Sequence, residues 1–246
     1  MAADEELDVA GLFAPVDIAD AVQGVLEEAR AALGHIDDPV DAELWGSDVI
    51  GALSAGGSSA GETEAMTAIA TTLVPAAERA PSPEALAMLR IFSVIGSADL
   101  RETAAAAAAR VAGEDVPDAP WAEHLGSPRM RSCWHYADVG GRQESLTLTY
   151  AYDGASGEKE HALSVLIDHG RGGKIKDVWV AKGANLLQAT ELTAGTDPLV
   201  EFELLDGPEA CKRLRQAVAA GECPELPDQA DDIAAHRALL RARLEL

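Results

Sequence analysis

A chain of 246 residues, 48% of them hydrophobic, is long enough to bury a core of its own. Its 19 basic residues stand against 42 acidic ones, and the formal charge of -23 repels nucleic-acid phosphate and anionic lipid, which excludes a conventional DNA-binding, RNA-binding or polybasic membrane role. The opening residues are acidic where a secretory signal is basic, and no apolar run approaches the ~20 residues that span a bilayer, so the expected location is the cytoplasm.

Residues 1–15 read as an acidic, loosely held leader. From there Ile18, Val22, Val25, Leu26, Ala29 and Leu33 recur at helical spacing, with Asp17 placed to cap and Gly34 to terminate. Asp38-Pro39 interrupts, a short segment follows around Leu44–Leu53, and the glycine- and serine-rich stretch 54–61 breaks the chain. Glu62–Arg79, Ser82–Ile95 and Ser97–Ala112 read as three more helices, the second with proline in its first turn and the third an alanine run. Residues 16–112 are thus expected to form a helical domain, and 113–127 a linker.

Beyond the linker, 128–246 gains β-branched and aromatic residues. Ser132–Val139 and Glu144–Tyr152 predict two strands joined at Gly140-Gly141, with Leu146, Leu148, Tyr150 and Tyr152 on one face. A third strand over Glu160–Asp168 carries His161, Leu163, Val165 and Ile167 on one face, and the turn 169–174 leads to a fourth over Ile175–Ala181. Asn185–Thr190 reads as a short helix, Leu199–Leu205 as a fifth strand, and Ala210–Ala220 and Asp231–Leu246 as helices. The expected class is α+β, a helical front half followed by a mainly antiparallel sheet with helices on one face.

Pro120-Trp121 before Leu125-Gly126, Asp138-Val-Gly-Gly-Arg-Gln143, the run His161 to His169 with Gly172-Gly173 and Lys176-Asp177, and the closing Arg237 to Arg243 stretch together resemble an uncharacterised family of soluble bacterial proteins with a helical front half and this hairpin. The likeness spans most of the chain through short motifs and implies no activity. Where the family's second turn carries Gly-Asp-Gln, this chain has Gly141-Arg142-Gln143, which removes an acidic group there.

The candidate functional cluster is the hairpin end: Asp168, His169, Lys176 and Asp177, with Asp138 and His161. If the turn runs from 169 to 174, Asp168 and Asp177 become diagonal neighbours at roughly 7 Å, near enough to share a divalent cation. The bland alternative is that both carboxylates hold the turn through backbone N–H groups or pair with Arg171, Lys174 and Lys176. His161 and His169 lie about 26 Å apart along a continuous strand and cannot share a metal. Cys133, beside Trp134 and His135, reads as a structural thiol, since same-face strand neighbours stand about 6.6 Å apart. Cys133, Cys211 and Cys223 have no zinc spacing, and Gly170-Arg-Gly-Gly173 lacks the strand-to-helix setting of a phosphate loop, so no cofactor is expected. The leading expectation is a non-catalytic interaction or regulatory protein whose partner is another protein. The rival is a metal-assisted hydrolase or transferase using Asp168, His169 and Asp177.

Overall fold

The computed structural model describes residues 18–54, 59–113, 115–152, 159–182 and 199–245. The leader, the Asp17 cap, residues 55–58 of the expected 54–61 loop and the helix expected at Asn185–Thr190 lie outside them, while Ser59–Gly61 of that loop belong to a helix. The class is α+β, with helices in the N-terminal half and a five-stranded antiparallel sheet in the C-terminal half.

Helix α1 (Ile18–Ala32) is followed by α2 (Pro39–Leu53). Asp38-Pro39, expected to interrupt, starts α2 instead: Asp38 accepts the Val40 and Asp41 N–H groups, and Pro39 occupies the first turn, where its missing N–H costs nothing. Helix α3 (Ser59–Ala68) runs through a π-turn at Ile69–Leu73 into α4 (Val74–Arg79). Pro75 has no N–H to offer the Thr71 carbonyl, and the wider turn accommodates it. Ser82 caps α5 (Pro83–Phe92) through the Ala85 N–H, and Ser97 caps α6 (Ala98–Ala112) through that of Leu100.

Strands β1 (Arg129–Asp138), β2 (Gln143–Tyr152), β3 (Lys159–Asp168) and β4 (Lys174–Lys182) form a meander, and β5 (Val200–Leu205) adds beside β1, giving the order β4-β3-β2-β1-β5. The register sets Leu146, Leu148 and Tyr150 against Val165, Leu163 and His161, all buried under α7 (Gly207–Ala220) and α8 (Pro227–Leu244). The opposite face carries hydroxyl pairs, Ser132 with Thr149 and Thr147 with Ser164, each at 2.7 Å, and Trp134 stacked on Phe202 with centroids 4.9 Å apart.

The two sheet edges differ. Beside β4 the chain returns at Gly221–Cys223, where Gly221 accepts the Ile175 N–H and Cys223 donates to Ile175, so the start of that edge is paired. Among the described residues no strand pairs with the outer side of β5.

Apolar side chains form two cores, one among α1–α6 and one between the sheet and α7 and α8. Trp121 lies in the first core and donates its indole N–H to Ile36 at 2.9 Å. The junction is made by α8, which sends Ala238 and Leu239 into the first core and Ile233, Leu240 and Leu244 into the second. Its approach to α2 is close enough that the Ser47 hydroxyl donates to Ala235 O at 2.5 Å and accepts the Leu239 N–H at 3.1 Å, standing within the backbone ladder of α8.

Candidate functional site

Two polar clusters stand out, one sealed and one open. In the sealed one, Glu43 of α2 and Arg243 of α8 are both buried and form an ion pair. Tyr152 donates to Glu43 at 2.5 Å and accepts from Arg243 at 2.7 Å, while the Gly126 N–H reaches the other Glu43 oxygen at 2.7 Å. His161 stacks against Tyr150 and Tyr152 with its Nε2 3.3 Å from Arg243. Burial, and then the Arg243 and Lys182 charges, push the His161 pKa down to about 3.

A depressed histidine pKa makes stability depend on pH in a fixed direction. Between about 6.5, the ordinary value, and the folded value of about 3, the unfolded chain takes up a proton that the folded chain refuses. The contribution is fully present above the upper limit and falls by up to about 1.4 kcal/mol per pH unit below it. Urea unfolding of the native chain and of His161→Gln between pH 7 and pH 4.5 should show a shallower acid decline in the variant; parallel declines would count against the assignment.

The open cluster surrounds Glu144, at the start of β2 on the helix-covered face. His135 Nε2 of β1 lies 2.9 Å and Arg213 Nη1 of α7 3.2 Å from one Glu144 oxygen, and His169 Nε2 lies 3.1 Å from the other. Glu203 of β5 stands 3.3 Å from His135 Nδ1, and Glu209 holds the Arg213 Nε at 3.2 Å. Burial works against the Arg213 charge, but Glu209 and Glu144 outweigh it and hold the guanidinium above its ordinary pKa. The cluster opens on a groove of ≈ 420 Å³ between the β3–β4 turn and α7, lined also by Ile167, Gly172 and Gln216. Glu144 is 8% exposed and His169 45%, so the carboxylate is the anchor and His169 the group that meets solvent.

The six residues expected to cluster at the hairpin end do not form one site. Asp168 accepts the Arg171 N–H at 3.2 Å and so holds its own turn. Asp138 does the same for the β1–β2 turn, accepting from Arg142 at 2.8 Å and Gln143 at 2.9 Å. Lys176 pairs with Glu225 at 2.8 Å. Leu166 pairs with Asp177, but Ile167 pairs with Ile175 and Asp168 with Lys174, which leaves Lys176 as an extra residue in β4 and alters the expected placing of Asp168 against Asp177. Asp177 accepts the Val178 N–H at 2.9 Å and lies toward Gln229, Asp232 and His236 of α8. Burial raises its carboxyl above the usual range. His161 belongs to the sealed cluster, and only His169 lines the open groove. Among the described residues no three His, Cys, Asp or Glu side chains are arranged to hold a metal ion.

The groove offers an oriented imidazole but no activated nucleophile among its lining residues. Cys133 is buried beneath the sheet-facing helices, and burial pushes its thiol up to about 12. The signal for Glu144 was in the sequence: two steps back from Leu146 on an apolar strand face stands a carboxylate, which must find donors to be buried there.

Comparison with known proteins finds no match: no family model, no curated protein and no solved structure is similar to the chain. The resemblance to a bacterial family therefore rests on the quoted residues alone.

Proposed function

We propose that this is a non-catalytic cytoplasmic protein that acts by binding another protein. The observation that carries this reading is the commitment of the groove's reactive groups to one another: Glu144 is shared by His135, His169 and Arg213, and Arg213 is shared by Glu144 and Glu209. Such a knot ties α7 to the end of the sheet and engages both carboxylates that line the groove, Glu144 and Glu209. The free thiols of Cys133, Cys211 and Cys223 suit a reducing compartment. The charge of -23 favours a partner with a basic surface.

The rival, metal-assisted chemistry at Asp168, His169 and Asp177, has less support because each carboxylate accepts a local backbone N–H and the two serve different neighbours. The test is reconstitution from purified components. Crosslinking in cells should yield a protein that, purified, rebinds the intact chain saturably with EDTA present. Mn²⁺-dependent hydrolysis of a phosphoester or carboxylic ester, lost in Asp168→Asn and in His169→Ala, would overturn the reading.

A further inference from the structure

We infer that the outer edge of β5 is a docking site for an extended segment of a partner protein in which basic and apolar residues alternate. The inference deepens the interaction reading above and rests on it.

The β4 edge is paired with the returning chain at Ile175, whereas β5 pairs on one side with β1 and, among the described residues, with no strand on the other. A strand edge of this kind presents backbone N–H and C=O groups that an added strand can pair with. The register with β1 divides the side chains of β5 between the two faces: Val200, Phe202 and Leu204 stand opposite Asp138, Tyr136 and Trp134, and Glu201, Glu203 and Leu205 opposite Ala137, His135 and Cys133.

One face of this edge is therefore apolar. Leu204 is 64% exposed, and Phe202 is already stacked on Trp134. The other face is acidic, with Glu201 and Glu203 both exposed and His135 Nδ1 3.3 Å from Glu203. An incoming strand has the same period of two, so every second residue meets the apolar row and the residues between meet the glutamates.

Charge selects among the occupants. Two antiparallel registers of β5 with β5 of a second copy set glutamate against glutamate: centred on Phe202 the pairing faces Glu201 with Glu203, and centred on Glu203 it faces that residue with itself, whereas centred on Leu204 it faces Glu203 with Leu205. Like charges directly opposite are destabilising, and two chains of charge -23 repel at long range as well. The same residues that refuse a second copy attract lysine or arginine on alternate positions of another chain.

The experiment uses fluorescein-labelled peptides and the intact chain, read by fluorescence anisotropy. The probe is (Lys-Val)4; the control, (Lys-Pro)4, carries the same charge but cannot donate along a strand. Binding of the first should be about tenfold tighter or more, weaken with added salt, and slow hydrogen exchange of β5 amides. In Glu201→Lys/Glu203→Lys, whose substitutions are on exposed positions, preference should switch to (Glu-Val)4, and Leu204→Lys alone should weaken (Lys-Val)4 without reversing the preference. Equal binding of the two basic peptides, or no switch in a variant with native circular dichroism, would refute the edge. So would concentration-dependent dimerisation abolished by Leu204→Lys, which would assign the edge to a second copy. Each failure removes the β5 site alone, because reconstitution with the purified partner still decides the interaction reading.

Discussion

Arg243→Met should lower the free energy of unfolding by about 3–5 kcal/mol, the range found when one partner of a buried ion pair is removed. Glu43 is fully buried and Arg243 is 2% exposed, so the substitution leaves a carboxylate in a water-poor interior with only Tyr152 and the Gly126 N–H to support it. Against a typical total of about 5–15 kcal/mol, that is a large fraction. The double variant Glu43→Gln/Arg243→Met should recover much of the loss, because a neutral amide keeps a carbonyl acceptor for Gly126 and Tyr152 without a stranded charge. Urea unfolding midpoints of the three chains decide it. A loss under about 1 kcal/mol in the single variant would mean that the pair contributes like a surface one.

Gly51→Ala should be comparably severe for a steric reason. A Cβ on Gly51 would lie 2.4 Å from Ala234 O and 2.6 Å from Ala234 C, backbone atoms of α8 that cannot rotate away. Helices α2 and α8 must separate, which also strains the Ser47 bonds to Ala235 and Leu239. The expected cost is at or beyond the upper end of the about 1–3 kcal/mol usual for overpacking. Gly24→Ala in α1 is the control: nothing lies within 4 Å of the new methyl group, so helix propensity should stabilise the chain by about 0.5–1 kcal/mol. Opposite signs in thermal midpoints are expected, and a neutral Gly51→Ala would contradict the close crossing.

The strands were legible because their alternation reports burial on one side: Leu146, Leu148, Tyr150 and Tyr152 were expected to share a face, and all four are buried. Helix α2 was only half legible. From Val40 to Gly51 it buries residues nearly all round, Glu43, Trp45, Ser47 and Ile50 among them, which leaves no polar stripe to mark a period. The start of α8 at Pro227 was missed because its buried residues begin only at Ile233, so no apolar period marks the first turn. At the site, His169 was singled out for its place in a turn, but its partnership with Glu144 depends on tertiary placement. Arg213 lies on α7, and nothing in the sequence says which face of α7 meets the groove. Lys176, as an extra residue in β4, alters the pairing on which the Asp168 and Asp177 geometry depended, and no local pattern marks such a bulge in advance.

Because α8 fills a place in the first core, that core depends on a segment made long after its other walls. The Ser47 contacts with Ala235 and Leu239 join residues 188 and 192 positions apart. On a ribosome that adds about 5–20 residues per second, the nascent helical layer keeps its α2 seam uncovered for roughly ten seconds or more, until residues 227–244 emerge. During that interval the seam, which includes Ile50 and Glu43, is a surface on which chaperones can act.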